Sequence, residues 1–174
     1  TGAALKVTRN GGEGWAGAWV PFTVPSTSST LTISARVYSP VAGVKIVTKA
    51  EWGDNTGTGD TQANEQVVVG WQTLTWTYNN IDTSKTYNRF VVLPQLGTVG
   101  SGQVFYFDDL TATAGSSSEE SSGGSTSAGL TFDEDTQPTV EVFGGAEGTI
   151  AEGPAGGTGA ALKVTRNGGE GWAG

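Results

Sequence analysis

The sequence predicts an all-β protein, an antiparallel β-sandwich of the jelly-roll type. Short stretches of alternating apolar and polar residues are separated by clusters of Gly, Pro, Asn and Asp, a pattern typical of strands joined by tight turns. β-Branched and aromatic residues are frequent in these stretches. No segment of ten or more residues repeats its apolar positions every 3.6 residues, so no helix is predicted.

The strands follow from this alternation, and each predicted strand ends at a turn signal. In chain order, the predicted strands are Ala18–Val24, Thr30–Ser39, Gly43–Glu51, Glu65–Val69, Trp71–Tyr78, Arg89–Leu96, Gln103–Thr113, Leu130–Phe132, Thr139–Phe143, Gly148–Ala151 and Ala160–Thr165.

The same alternation assigns side chains to the two faces of each strand. Arg36 falls on the polar face of its strand, and Lys49 and Glu51 fall on the polar face of the next one. Gln95 lies on the same side of its strand as Leu93. We therefore expect Arg36, Lys49 and Glu51 to share one polar face of the sandwich.

A long duplication sets the domain organisation. The segment Thr1–Gly17, TGAALKVTRNGGEGWAG, recurs without a change at Thr158–Gly174. The distance between the copies suits a complete domain with its linker. The duplication arises either from a tandem array of near-identical modules or from engineering. A designed circular permutation has no reason to keep both copies, so the tandem array is favoured.

A linker divides the chain within this frame. Residues 115–129, GSSSEESSGGSTSAG, are Ser- and Gly-rich and carry no apolar side chain larger than Ala. Residues 1–114 are then the body of one module, and residues 130–174 are the first strands of the next one. Residues 130–174 either complete the body of their own chain or complete a neighbouring repeat head to tail, and the sequence leaves both arrangements open.

Composition excludes several classes of function. The chain of 174 residues has a net charge of −8 and contains no Cys, His or Met. Ser-His-Asp or Cys-His catalysis and ordinary structural zinc sites are therefore excluded. Nine unclustered cations argue against a nucleic-acid partner, and no apolar run is long enough to insert into a membrane. The Gly, Thr and Ser content without Cys favours a secreted, extracellular or cell-surface protein.

Carboxylates at both ends of the module predict a structural calcium ion. Asp108 and Asp109 lie in the last strand of the module, and Asp133, Glu134 and Asp135 follow its first strand. A sandwich brings those strands together, and calcium prefers such oxygen ligands. The alternative is an acidic surface cluster without a metal.

The runs ARVYSPVAG, VTKAEW, GWQTLTWTY and VFYFDDLTA, together with FDED and ALKVTRNGGEGWAG, resemble a known family. They are similar to jelly-roll carbohydrate-binding modules that are appended to secreted bacterial glucanases, especially laminarinase-type enzymes, and repeated in extracellular proteins. The resemblance covers essentially the whole module. It implies a non-catalytic protein, commonly with a structural calcium ion near the paired termini.

The resemblance also implies the positions of ligand-binding residues. It places Trp15 and its copy Trp172 near a ligand face. Arg36, Lys49 and Glu51 are placed there as well. The sequence departs from the family pattern in the stretch VVLPQLG, where Gln95 stands at a position that is often acidic.

Two tryptophans in polar loops are the predicted stacking platforms for sugar rings. Trp15 lies in the Gly-rich loop GGEGWAG, and Trp52 lies in the loop EWGDNTG. The alternative is that each ring closes an edge of the sandwich. Trp19, Trp71 and Trp76 lie within strand patterns and are expected to be structural.

These observations predict a non-catalytic repeat that binds a β-glucan-like polysaccharide on an aromatic and charged face. No pair of acidic residues is marked by its context as glycosidase machinery, so an enzyme is not expected. The alternative is a structural repeat of a bacterial surface adhesin or extracellular filament, assembled by strand exchange between subunits.

Overall fold

The computed structural model describes residues 2–53, 56–115 and 126–155. These residues form two six-stranded antiparallel sheets packed face to face. The predicted all-β antiparallel sandwich is confirmed. In this part of the chain there is no helix with the length and apolarity to cross a membrane. Trp172 and the predicted strand Ala160–Thr165 lie outside the described residues.

The chain crosses between the two sheets repeatedly. Its strands are β1 Ala3–Arg9, β2 Gly17–Val24, β3 Thr30–Ser39, β4 Ile46–Gly53, β5 Thr56–Gly57, β6 Thr61–Gln62, β7 Gly70–Asn79, β8 Tyr87–Pro94, β9 Gln103–Ala114, β10 Ser127–Leu130, β11 Glu141–Phe143 and β12 Ala146–Glu152. Sheet A has the order β12-β1-β9-β3-β7, with β10 also paired to β9. Sheet B has the order β11-β2-β8-β4-β5, with β6 also paired to β4. Only β4–β6 and β9–β10 are consecutive strands of one sheet.

The core lies between the inner faces of the two sheets. Trp76 from sheet A is fully buried there. Its indole N–H donates a hydrogen bond to the Ile46 carbonyl at 3.1 Å. The Trp76 ring meets the Phe90 ring of sheet B edge to face, with centroids 6.1 Å apart. Trp76 is therefore structural, and it joins the two sheets by packing as well as by a hydrogen bond.

Two polar side chains inside the core, Thr48 and Tyr78, are hydrogen-bonded to each other. The hydroxyl groups of Thr48 and Tyr78 share a hydrogen bond between the sheets. Burial raises the pKa of Tyr78 above its ordinary value, so the phenol stays neutral. Thr48 thus occupies an inward position, as the alternation of its strand predicts.

β1 is paired along both of its edges. It runs antiparallel to β12 on one side, from Ala3 opposite Glu152 to Arg9 opposite Ala146. On its other side it pairs with β9. β10 pairs with β9 and β11 pairs with β2, so residues 127–152 complete the sandwich within one chain. The first copy of the duplicated segment supplies β1.

The segment Glu65–Val69 is not a strand, so this prediction is wrong. Its backbone groups form hydrogen bonds with a loop and with a side chain, and not with a neighbouring strand. The Val67 carbonyl accepts from the Gly43 amide at 2.8 Å, and the Val68 amide donates to the Gln72 side-chain oxygen at 2.6 Å. Apolar residues predicted the strand, yet only Val67 among the three valines is buried.

One strand boundary and two short strands also differ from the sequence prediction. β10 starts at Ser127, inside the segment assigned to the linker, because its backbone pairs with β9. The short strands β5 and β6 were not predicted, and they form where the chain after β4 folds back onto that strand.

Trp76→Ala is expected to lower the free energy of unfolding by about 3–5 kcal/mol, because it leaves a cavity in the core and removes one of the two hydrogen bonds that the Ile46 carbonyl accepts. Trp15→Ala is the matched control, since Trp15 is 51% exposed, and its cost is expected to be about 1 kcal/mol or less. Urea unfolding measured by circular dichroism gives both values. Equal costs for the two substitutions would contradict the assigned positions.

Candidate functional site

The outer face of sheet B carries a second, smaller hydrophobic cluster. Val47, Val91 and Leu93 are buried there although they point away from the core. Trp19, Leu96 and Phe143 are partly buried and pack around them. An outward sheet face is usually polar in an antiparallel sandwich, whereas this part of sheet B carries an apolar layer that its own neighbours cover.

Trp15 stands at one end of this face, in the loop of residues 10–16 that joins β1 to β2. Its ring stacks on the Phe143 ring, with centroids 6.1 Å apart and planes 12° from parallel. Trp15 is nevertheless 51% exposed, the one exposed aromatic residue in the part of the chain that the structure describes. The ring is supported on one side and remains accessible to a ligand.

The Trp15 loop lies on the β11–β12 turn. The Glu13 amide donates to the Gly144 carbonyl at 2.8 Å, and the Ala16 amide donates to the Glu13 carbonyl at 2.9 Å. Gly144 has φ of 64°, and a Cβ atom there would come within 2.7 Å of the Ala16 Cα. Glycine is therefore required at this turn for the loop to approach so closely.

Arg9 holds the Trp15 loop from inside the protein. Its side chain is fully buried. The guanidinium donates to the Glu13 carbonyl at 2.9 Å, to the Thr98 carbonyl at 2.7 Å and to the Pro94 carbonyl. Burial lowers the pKa of Arg9 from its ordinary value. Three carbonyl dipoles hold this cation, and they tie the Trp15 loop to the loop that follows β8.

Gln95 follows β8 directly and has two unusual features. It is only 6% exposed, and its backbone has a φ of 58°, a conformation that non-glycine residues rarely adopt. Its side-chain carbonyl oxygen is buried without a hydrogen-bond partner. A buried acceptor without a donor is costly, and burial keeps this oxygen away from a ligand at the protein surface.

Charged residues continue the outer face of sheet B away from Trp15. Lys49 forms an ion pair with Asp60, with 3.3 Å between the ammonium nitrogen and the carboxylate oxygen. Glu51 stands opposite Arg89 in the pairing of β4 with β8. The Arg89 guanidinium carbon lies 4.4 Å from the centroid of the Trp19 ring, a cation–π contact. The structure therefore brings Lys49 and Glu51 to the same face as Trp15.

Open space borders the exposed ring. A cleft of about 540 Å³ is lined by Trp15, Val99, residues 11–13 and the turn Gly144–Gly145. Its size lies within the range of small-ligand sites in proteins. Val99 is 65% exposed, so the lining of the cleft contains a second exposed apolar side chain besides Trp15.

Arg36 lies on the opposite side of the molecule, and the prediction that it shares a face with Lys49 and Glu51 is wrong. It belongs to β3 in sheet A, and its guanidinium carbon lies 5.3 Å from the Trp71 ring centroid on the outer face of that sheet. Alternation shows that a side chain points outward, but it does not show which sheet carries the strand.

Trp71 is held in place by the residues that follow β12. Its indole N–H donates to the Pro154 carbonyl at 3.0 Å, and its ring meets that of Tyr38 with centroids 5.7 Å apart. The expected structural role of Trp71 agrees with these contacts.

Trp52 lies at the other end of sheet B from Trp15. It comes near the end of β4, and its ring meets the Tyr87 ring edge to face with centroids 5.3 Å apart. The Lys85 ammonium lies 5.8 Å from the Trp52 centroid. A separate cleft of about 330 Å³ adjoins Trp52 and Tyr87. Trp52 is therefore partly covered and does not form one surface with Trp15.

The predicted calcium ligands are only partly brought together. Among residues 2–53, 56–115 and 126–155, no group of three or more acidic side chains lies close enough to hold a metal ion. Asp108 is buried and one of its carboxylate oxygens has no partner. Asp133 is near enough to influence Asp108, but its own carboxylate accepts from the Ala3 amide at 2.7 Å.

Calcium needs six to eight oxygen ligands. The orphan oxygen of Asp108 fits such an ion, and Asp133 is the neighbouring carboxylate. Asp109 follows Asp108 in β9 and Glu134 and Asp135 are exposed, so backbone carbonyls would have to supply much of the shell. The calcium site stays a prediction.

Three residues of the outer face of sheet B were missed by the sequence analysis: Trp19, Arg89 and Phe143. Trp19 stands between Ala18 and Val20, which are both fully buried. Strict alternation would therefore have placed Trp19 outward. Ala18, Trp19 and Val20 are all apolar, so the sequence shows no alternation at this point. The hydrophobic character of Trp19 therefore suggested a core position.

The comparisons with known proteins concern the fold. No protein-family model matches the chain, and no curated protein matches it. A solved structure described as "PbXyn10C CBM APO" is similar, with a TM-score of 0.56 and 16% sequence identity, over 88% of this chain and 90% of that chain. The chain therefore shares the fold of a carbohydrate-binding module. The laminarinase-type resemblance stays a prediction.

The raised pKa of Asp108 predicts that the free energy of unfolding depends on pH. Burial raises its pKa to about 6 from an ordinary value of 3.8, with smaller contributions from the charges of Asp109 and Asp133. The folded state then binds the proton more tightly than the unfolded state, so the free energy of unfolding should fall as pH rises from about 4 to above 6. Asp108→Asn should remove this slope and stabilise the protein at pH 7.5 by about 1–3 kcal/mol.

Chemical unfolding between pH 4.5 and 7.5 in the presence of a chelator measures this slope for both proteins. An unchanged slope in Asp108→Asn would contradict the assignment. The series is repeated with calcium. If the ion binds through Asp108, calcium should stabilise the wild type at pH 7.5 and leave Asp108→Asn unaffected.

Proposed function

We propose that this protein is a non-catalytic module that binds a polysaccharide on the outer face of sheet B. The observation that carries the proposal is the half-exposed Trp15 ring, stacked on Phe143 at the end of an apolar and charged face. A likeness in fold to a carbohydrate-binding module supports it.

The chemistry of this face suits a sugar chain. The C–H face of a pyranose ring is apolar and stacks on an aromatic ring, so Trp15 offers a platform for one sugar. The hydroxyl groups at the rim of a sugar need hydrogen-bond partners. Lys49, Glu51 and Arg89 supply acceptors and donors along the same face.

The fixed geometry of the site favours binding without a large entropic cost. Arg9 and the Gly144 turn hold the Trp15 loop before any ligand arrives. A preorganised platform loses little conformational freedom on binding. β-Glucans such as laminarin are the proposed ligands, and an extracellular location follows from that substrate class.

The test is affinity electrophoresis and calorimetry of the full chain with laminarin, xylan and a panel of plant and algal polysaccharides. Trp15 is removed together with Trp172, because the duplicated segment carries an identical ring. Trp15→Ala/Trp172→Ala is expected to weaken binding to the preferred polymer by at least about tenfold, the loss typical of a tryptophan at the centre of an interface.

The two outer faces offer a matched pair of controls. Arg89 lies over Trp19 on sheet B, and Arg36 lies over Trp71 on sheet A. Arg89→Ala is expected to weaken binding, whereas Arg36→Ala should leave it unchanged within about twofold. Greater loss in Arg36→Ala than in Arg89→Ala would contradict the assignment to sheet B.

A second candidate function is a structural repeat of a surface adhesin or filament. The unchanged duplication of Thr1–Gly17 favours this function, because near-identical modules are typical of extended repeat proteins. If no polymer in the panel binds to a stably folded chain, the structural repeat is the better account.

A further inference from the structure

We propose that the cleft beside Trp52 is a second binding site for a neutral sugar, separate from the face that carries Trp15. The inference rests on the proposed function, because it takes the ligand from the same class of polymer. The cleft has a volume of about 330 Å³. This volume lies at the lower end of the range of small-ligand sites, so it suits one or two sugar rings and not a long stretch of polymer.

The cleft opens at the end of the sandwich that lies away from Trp15. The segment from β5 to β6 lines one side, and the turn that joins β7 to β8 lines the other. The two ends of sheet B are separated by the length of β8, roughly 26 Å for its eight residues at about 3.3 Å each. A ligand that fills the cleft is therefore too short to contact Trp15 as well.

Aromatic and apolar side chains form the deep part of the cleft. Tyr78, Ile81 and Tyr87 line it and are buried, whereas Trp52 lines it and is partly exposed. The Trp52 ring meets the Tyr87 ring edge to face, and this contact holds the indole in place. An indole in a fixed position offers a surface for the apolar C–H face of a pyranose ring.

The turn between β7 and β8 supplies hydrogen-bonding groups for sugar hydroxyls. Asn79 and Asn80 are exposed and line the cleft, and each carboxamide can both donate and accept. Asp82 lines it too. One oxygen of Asp82 accepts from the Ser84 hydroxyl at 2.7 Å and from the Ser84 amide at 3.0 Å, which leaves the second oxygen for a ligand. These two hydrogen bonds lower the pKa of Asp82, so this acceptor stays ionised.

The Tyr87 hydroxyl is a further donor in the cleft. Its oxygen accepts from the Asp82 amide at 3.0 Å. Burial raises the pKa of Tyr87, so the hydroxyl keeps its proton at neutral pH. Within the described part of the chain, no acceptor takes that proton, which is therefore available to a ligand oxygen.

The charges beside the cleft favour a neutral ligand. The Asp82 carboxylate is negative, and the Lys85 ammonium lies 5.8 Å from the centroid of the Trp52 ring. Next to the segment from β5 to β6, Lys49 and Asp60 form an ion pair. Each of these negative charges has a positive counterpart close by, so a charged sugar gains little here. A neutral glucan offers hydroxyls to the same groups without an uncompensated charge.

The second site is tested in Trp15→Ala/Trp172→Ala, which lacks the first platform. The indole N–H signal of Trp52 is followed by NMR while the trisaccharide of laminarin is added to the full chain. We expect this signal to shift, with a dissociation constant within about twofold of its value in the wild type, because distant sites act independently.

Asn79→Ala/Asn80→Gly tests whether the ligand lies in the cleft. Asn79 is exposed, and glycine suits the φ of 60° at Asn80, so the fold should be kept, which circular dichroism checks. The dissociation constant at the Trp52 signal is expected to rise by about fivefold or more, the loss typical of two hydrogen bonds. The value at the Trp15 signal should stay within about twofold. Asn88→Ala is the matched control, since Asn88 is exposed beside Tyr87 and outside the cleft.

The outcomes separate this inference from the proposed function. In the wild type, a shift of Trp15 without a shift of Trp52 would overturn the second site and leave the first one standing. A Trp52 shift that disappears in Trp15→Ala/Trp172→Ala would overturn the separation into two sites. Equal losses in Asn88→Ala and Asn79→Ala/Asn80→Gly would overturn the placement in the cleft. No shift at Trp15 or Trp52 would overturn both proposals.

Discussion

The pairing of β1 along both of its edges is the constraint on which the rest of the structure depends. β1 joins β12, near the end of the described chain, to β9 in the middle of sheet A. Its inward side chains, Leu5 and Val7, are fully buried in the core. Without a strand in this position, β12 would leave sheet A, and the inner face of sheet B would lose part of its cover.

The candidate site follows from that pairing. Because β1 ends at Arg9, the guanidinium enters the protein beneath the loop that carries Trp15. The β11–β12 turn, positioned by the other edge of β1, supplies the surface on which the loop lies and the Phe143 ring on which Trp15 stacks. A single strand therefore closes the fold and positions the exposed aromatic ring.

Local patterns in the sequence predicted what is local in the structure. Most strands and the inward or outward direction of Lys49, Glu51 and Arg36 follow from a period of two. The partner of a strand depends on contacts far apart in sequence, which explains the errors. Arg36 was assigned to the wrong face because its sheet was unknown, and Glu65–Val69 was predicted as a strand although no neighbour pairs with it.

The candidate site was predictable only in part for the same reason. Trp15 was identified from its Gly-rich loop, and Gln95 was identified from a family resemblance. The unpartnered side-chain oxygen of Gln95 is visible only in the folded chain. The contact between Trp19 and Arg89 depends on the register of β2 with β8, which a single sequence does not reveal.

The most direct test of the account is an NMR titration of the full chain with oligosaccharides from laminarin and from xylan, following the indole N–H signals of the tryptophans. The account predicts that the signals of Trp15 and Trp19 shift with ligand while that of Trp71, on sheet A, stays in place. A shift of the Trp71 signal with Trp15 and Trp19 unchanged would contradict a binding face on sheet B.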